Sequence, residues 1–294
     1  MGYLLALLID GVLAGALYAL VALAFVVVYK ASRMINFALG EWMMLGSRLT
    51  SAALHATGLG LIGAITLACV GMAALAIAWS VVVLRRLLGQ PLIALIMVTI
   101  GLGLVMRGAA FFLFAGVPAT IPLPFSEEPI MLAGVPVSPG KLGAAAVSGL
   151  VIAALTWFFR ASRTGLALRA IASDQQAAMM VGIDVQRHFT FTWILAGALA
   201  VLSAVLWTTV SGGGFRVELV AVRVFPIVII GGLDSIPGTI VGAILIGVLE
   251  SLTAGYVDPL VGGGSSLVAA HLVLLAVLFV RPFGLFGRPD AERV

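Results

Sequence analysis

Apolar runs follow one another along almost the whole chain, and that succession limits its possible folds more than any other feature. They occupy residues 3 to 29, 34 to 54, 61 to 84, 91 to 114, 141 to 159, 189 to 210, 217 to 232, 238 to 256 and 267 to 280 of 294. About 20 apolar residues in a helix cross the hydrocarbon core of a bilayer. A backbone N–H or C=O finds no partner in that core, so the chain must satisfy its own hydrogen bonds there. The expected fold is therefore all-α: a polytopic integral membrane protein with about eight or nine transmembrane helices. The count stays open because Gly231-Gly232 and Pro237-Gly238 suit a re-entrant or broken helix as well as two spans.

Composition agrees. Hydrophobic residues make up 62% of the chain and charged residues 10%, the mean hydropathy is +1.23, and soluble domains carry about 25% charged residues. A disordered chain is excluded on the same ground. One cysteine, Cys69, excludes an intrachain disulfide framework and a cysteine zinc site. Residues 3 to 29 hold one charged residue, Asp10, and are too long for a signal-peptide core, so they read as a mature span. No linker or charge run separates two compositions, and residues 1–294 read as a single transmembrane domain.

The net charge of +4 comes from basic residues that sit between apolar runs, which points to membrane orientation and lipid contact rather than nucleic acid. Lys30 and Arg33, Arg85 and Arg86, Arg160, Arg163, Arg169 and Arg187, and finally Arg281, Arg288 and Arg293 all fall on one face of a nine-span arrangement. Glu127, Glu128 and Asp258 fall on the other. The expected topology has the N-terminus outside and the C-terminus cytoplasmic. Five prolines between residues 115 and 136 mark an outer, mostly non-helical cap, whereas the inner segment 160–188 has none and suits one or two short helices.

Enzymatic motifs are absent. Gly58-Leu59-Gly60-Leu61-Ile62-Gly63 has dinucleotide-fingerprint spacing but opens an apolar run instead of joining a strand to a helix. There is no P-loop, HExxH helix or GxSxG elbow, and His55, His188 and His271 sit in unrelated segments. Ionisable residues inside apolar spans cost about 2.5 to 3.5 kcal/mol at a helix centre, so each needs a reason. Arg107 and Arg223 are expected to snorkel toward the headgroups. His188 reads as an interfacial anchor and His271 as a hydrogen-bonding group between helices. Glu41 lies deeper, Glu250 also falls inside an apolar run, and the stretch Asn36 to Glu41, with Gly40, sets an amide, a small residue and a carboxylate within one and a half turns. Either helix packing or a polar pathway accounts for Asn36, Gly40, Glu41, Asp234 and Glu250. Gly11-x-x-x-Gly15 and Gly238-x-x-x-Gly242 permit close helix approach without naming a partner.

The order of four motifs carries a resemblance. Asn36-Phe37-Ala38-Leu39-Gly40-Glu41, the segment from Arg163 to Ile183, Gly231-Gly232-Leu233-Asp234-Ser235-Ile236-Pro237-Gly238, and the closing Arg281-Pro282-Phe283-Gly284-Leu285-Phe286-Gly287 follow one another. Together they resemble the permease subunits of branched-chain amino acid ABC importers, specifically the shorter of the two permease types, over nearly the whole chain. The resemblance implies a multi-pass protein of the bacterial or archaeal cytoplasmic membrane and an assembly with a second, longer permease, two cytoplasmic ATPase subunits and a periplasmic binding protein. ATP would be used by those partners, with no cofactor on this chain. It also implies that Gly165, Arg169, Asp174, Gln176, Ala177, Ala178 and Gly182, in the coupling segment 160–188, meet an ATPase. The family usually has histidine where Leu39 stands and glutamate where Gln176 stands, so no charge role carries over there. Permeases of this type also serve urea, short amides and aromatic acids, so the ligand stays open among these.

The residues lead to the same place independently. A permease without a P-loop needs a surface through which ATP-driven motion enters, and the polar and small residues Asp174, Gln175, Gln176, Ala177 and Ala178 suit insertion into a protein cleft, with Gly182 ending the helix. An Ala178→Arg substitution is expected to break that docking while leaving folding intact. The rival reading is a stand-alone secondary transporter or channel for small polar solutes, favoured by paired glycine breaks and intramembrane carboxylates.

Overall fold

The computed structural model describes residues 2–87, 90–126, 128–132 and 134–287. Glu127, Arg288 and Arg293 lie outside the described residues. The helices in chain order are α1 (Gly2–Ser32), α2 (Leu39–Thr57), α3 (Gly60–Trp79), a π-turn (Ser80–Leu84) continuing into α4 (Arg85–Leu87), and α5 (Leu92–Phe114). After the hairpin β1 (Ile130–Leu132) and β2 (Val135–Val137) come α6 (Pro139–Ala161), α7 (Arg163–Ser173), α8 (Gln175–Met180) and α9 (Val185–Ser211). A 3-10 turn (Phe215–Leu219) leads to α10 (Val220–Gly231), then α11 (Ile236–Tyr256), α12 (Asp258–Val261) and α13 (Ser265–Val280). Among the described residues six helices are long and apolar enough to cross a membrane: Gly2–Ser32, Gly60–Leu87, Ile93–Phe114, Pro139–Ala161, Val185–Val210 and Ile236–Tyr256. The remaining three apolar runs are also helical, but as α2, the short α10 and the 16-residue α13.

Two run boundaries differ from the sequence expectation, each for a local reason. The run starting at 34 becomes helical only at Leu39, because Arg33 takes φ 54° and the Asn36 carboxamide oxygen accepts from the Ala38 N–H at 3.0 Å, forming a turn between α1 and α2. The run starting at 217 opens as a 3-10 turn, so α10 keeps only 12 residues, with Pro226 inside it. Gly232, at φ 100°, ends α10, and the Ser235 hydroxyl accepts from Gly238 N–H to start α11. The helix is thus broken over residues 232–235. The proline-rich connection is non-helical and carries the β1–β2 hairpin, with Met131 opposite Pro136.

The chain forms two compact units. One comprises residues 1–26, 124–152 and 223–294; the other comprises 27–123 and 153–222. In the first, the α1 glycines set the packing: a Cβ on Gly11 would lie 2.6 Å from Val248 Cα, and one on Gly15 would lie 2.7 Å from Ile244 Cα. The GxxxG partner of α1 is therefore α11, backbone to backbone. The second GxxxG pair, Gly238 and Gly242, faces α10 at Gly231 and Ile227. In the second unit α2, α3 and α9 pack on one another. Their centre is aromatic, with Trp193 5.5 Å from Trp42 and 5.9 Å from Trp79 between ring centroids.

Candidate functional site

Two arginines organise the polar groups of the apolar layer, one in each unit. In the second unit Arg107 of α5 pairs with Glu41 of α2 at 2.9 Å and with Glu218 of the 3-10 turn at 2.9 Å. Local sequence makes room for both. Gly103 lies one turn before Arg107, where a Cβ would stand 3.1 Å from the Glu41 carboxylate. Gly40 lets the 3-10 turn approach α2, since a Cβ there would lie 2.6 Å from the Glu218 carbonyl oxygen. Arg107 therefore does not snorkel; two carboxylates hold it. Asn36 caps the turn before α2 and Asp234 lies half-buried in the α10–α11 break; neither joins this cluster.

Sequence reasoning missed Arg48 and Glu218. Arg48 is buried in α2 and donates to the carbonyls of Phe114 at 2.5 Å, Val117 at 2.6 Å and Pro118 at 3.4 Å, capping the C-terminal end of α5. Its guanidinium lies 4.7 Å from the Phe215 ring centroid, and Phe215 stacks on Phe111 at 4.2 Å. The signal was available, since Arg48 sits in the run 34 to 54; Glu218 stood at the edge of another run.

In the first unit the glycine contacts aim the side chains. Tyr18 follows Gly15 by three residues and Glu250 follows Gly247 by three, so both lie on the faces where α1 meets α11. The Tyr18 hydroxyl donates to Glu250 Oε2 at 2.6 Å. Arg223 Nη1, from α10, donates to the Tyr18 oxygen at 3.1 Å and lies 3.5 Å from Glu250 Oε2. Arg223 is thus turned onto a buried tyrosine–carboxylate pair instead of toward the headgroups. Among the described residues the hydrogen bond of His271 goes to the Leu267 carbonyl of its own helix, at 2.9 Å. Asp10 pairs with Lys141 at 2.6 Å. Two of the four ordered motifs meet at the α10–α11 break, where the Leu285 N–H donates to Ile230 O at 2.7 Å and a Cβ on Gly232 would strike Gly287.

Segment 160–188 forms two short helices, α7 and α8. Asp174 ends the first and begins the second, its Oδ1 accepting from the N–H groups of Gln176 and Ala177 at 2.9 and 3.0 Å. Gly182, at φ 85°, closes α8: its N–H bonds Met179 O, and Ile183 N–H bonds Ala178 O, each at 3.0 Å. Arg169 donates to the Phe159 carbonyl at the end of α6, and Gly165 packs against that same carbonyl. Gln176 is exposed and Ala177 half-buried. Ala178 faces inward at 3% exposure, so an arginine there would damage the fold itself, contrary to the sequence expectation. Large apolar side chains are also exposed here: Leu166 on α7, and Met179, Met180 and Val181 at the end of α8.

Among the described residues no group of three His, Cys, Asp or Glu side chains is placed to hold a metal ion. The family described as branched-chain amino acid transport system, permease component, matches residues 7–281. The chain belongs to this family. The permease is similar to the high-affinity branched-chain amino acid transport system permease protein LivH of Salmonella typhimurium, at 31% identity covering 99% of this chain and 98% of the relative. It is also similar to the corresponding protein BraD of Pseudomonas aeruginosa, at 31% identity covering 98% and 97%. A probable branched-chain amino acid transport permease protein LivH of Methanocaldococcus jannaschii is 33% identical over 43% of this chain and 41% of its own. Membership makes this chain a multi-pass transport permease of the bacterial or archaeal cytoplasmic membrane, and sets aside a stand-alone transporter. The family is one of ABC importers, which work with ATPase and binding-protein partners.

Proposed function

We propose that this permease forms the transmembrane part of an ATP-driven importer for branched-chain or related amino acids delivered by a periplasmic binding protein. A second permease subunit completes the path, two cytoplasmic ATPase subunits use the ATP, and this chain binds no cofactor and catalyses no reaction. In this reading residues 1–294 act as one permease domain with about eight or nine transmembrane helices, the N-terminus outside and the C-terminus and segment 160–188 cytoplasmic. The supporting observation is the α7–α8 turn. Asp174, Gly182 and the Arg169 bond to α6 make it a braced projection, and it holds Met179, Met180 and Val181 out in solvent. Exposed apolar side chains on a braced projection are what a partner's cleft covers.

The test is Met180→Arg in the assembled complex. The variant is expected to insert and melt like the parent while losing ATPase co-purification and leucine uptake together, by about tenfold or more, because docking would bury an unpaired charge. Retention of both ATPases and full uptake overturns the docking assignment. For the topology, single cysteines at Ser126 and Ser173, with Cys69 replaced, are expected to react with an impermeant reagent from opposite sides. Labelling from one side overturns it.

A further inference from the structure

We infer that Arg223 is the contact of this permease for the carboxylate of its passing cargo, with Tyr18 and Glu250 as the residues that position it; the inference rests on the amino acid reading above. Depth comes first. The α1 helix has 31 residues and is about 46 Å long at 1.5 Å per residue, and Tyr18 lies close to its middle. A guanidinium bonded to the Tyr18 hydroxyl therefore lies near the centre of the apolar layer, beyond reach of the headgroups. Its side chain is nonetheless 44% exposed, whereas that of Glu250 is 9% exposed. A half-exposed charge at that depth belongs against a polar path, not hydrocarbon.

The guanidinium is also prepared to take a carboxylate. Among the described residues Nη1 alone is engaged, at 3.1 Å from Tyr18 and 3.5 Å from Glu250, so Nη2 and Nε keep donors for a second anion in the guanidinium plane. Glu250 offsets part of the charge, which keeps the grip weak enough for release, as a conduction step requires. Arg107 cannot serve in this way, since two carboxylates at 2.9 Å already hold it and a third would be repelled.

The experiment uses the full complex in proteoliposomes with ATP and its binding protein, in a Cys69→Ser background. It measures leucine uptake and binding-protein-stimulated ATP hydrolysis for Arg223→Cys and Arg223→Lys. Arg223→Cys is expected to keep ATP hydrolysis within about twofold and lose uptake by about tenfold or more; treatment with cationic aminoethyl methanethiosulfonate restores uptake and anionic sulfonatoethyl methanethiosulfonate does not. Arg223→Lys, which guards against a cysteine variant that fails to assemble, keeps the charge without the planar fork and is expected to retain more uptake than Arg223→Cys while staying below the parent. Three outcomes overturn the assignment. They are full uptake by Arg223→Cys, a thiol that neither reagent reaches, and equal loss of uptake and ATP hydrolysis in both variants. A parent complex that moves no leucine overturns instead the amino acid reading on which the assignment rests, and is distinguished because it precedes any substitution.

Discussion

The two arginine clusters use the same cation and differ in how many carboxylates hold it. Arg107 stands between Glu41 and Glu218, each at 2.9 Å. Arg223 shares one carboxylate with a phenol, at longer distances. The first arrangement joins α2, α5 and the 3-10 turn and leaves no attraction for a further anion. The second joins α1, α10 and α11 and leaves donors unused. An intramembrane arginine therefore takes its role from the number and distance of its acceptors, not from its presence in an apolar run.

The largest expected effect would break the first cluster. Removing one partner of a buried pair costs about 3–5 kcal/mol, and the 40% exposure of the Arg107 side chain brings the expected cost of Arg107→Leu to about 2 kcal/mol. Thermal unfolding in detergent should show the loss, and adding Glu218→Gln should recover part of it by removing the repulsion between the two carboxylates. An unchanged midpoint in Arg107→Leu would mean that the pair does not hold the helices.

A smaller effect sharpens the contrast in the other unit. Tyr18→Phe removes the hydroxyl that joins Arg223 to Glu250, at an expected cost of about 1 kcal/mol. Leucine uptake should fall several-fold while the apparent KM for the loaded binding protein stays constant, because the delivery step does not use this residue. If KM rises and the maximal rate holds, Tyr18 acts at delivery and the positioning role is lost.

The smallest effect comes from a carboxylate outside the membrane-spanning helices. The Ser265 hydroxyl, together with backbone N–H groups, holds the Asp258 carboxyl below its usual range. Asp258 thereby anchors the start of α13 through the Ser265 N–H at 2.7 Å. A depressed carboxyl contributes its stability above the ordinary carboxylate pKa of about 4 and loses it as pH falls through the folded value. Asp258→Asn should therefore melt slightly lower than the parent at neutral pH, and the difference should shrink under acid. A difference that grows on acidification would reverse the assignment.

Much of the fold was legible because its causes are local. Runs of apolar residues imply helices wherever the backbone must bond to itself. The break at Gly231-Gly232, the two short helices without proline, and Gly182 as a helix end follow from what individual residues allow at their own φ and ψ. The coupling segment was located by composition, but the inward face of Ala178 was not, because the period of a six-residue helix is too short to read.

What sequence by itself determined is the membrane class, the order of the helical runs, the motifs of the family and which ionisable residues required an explanation. Tertiary structure alone decided the explanations. Glu41 finds Arg107 across 66 positions, Tyr18 finds Arg223 across 205, and Glu250 finds Tyr18 across 232. No local pattern encodes such pairings, since they depend on which helices the glycines bring to backbone contact and on how far one helix is rotated against the next. A snorkelling arginine and a paired one have the same sequence; the acceptor supplied by another helix sets them apart.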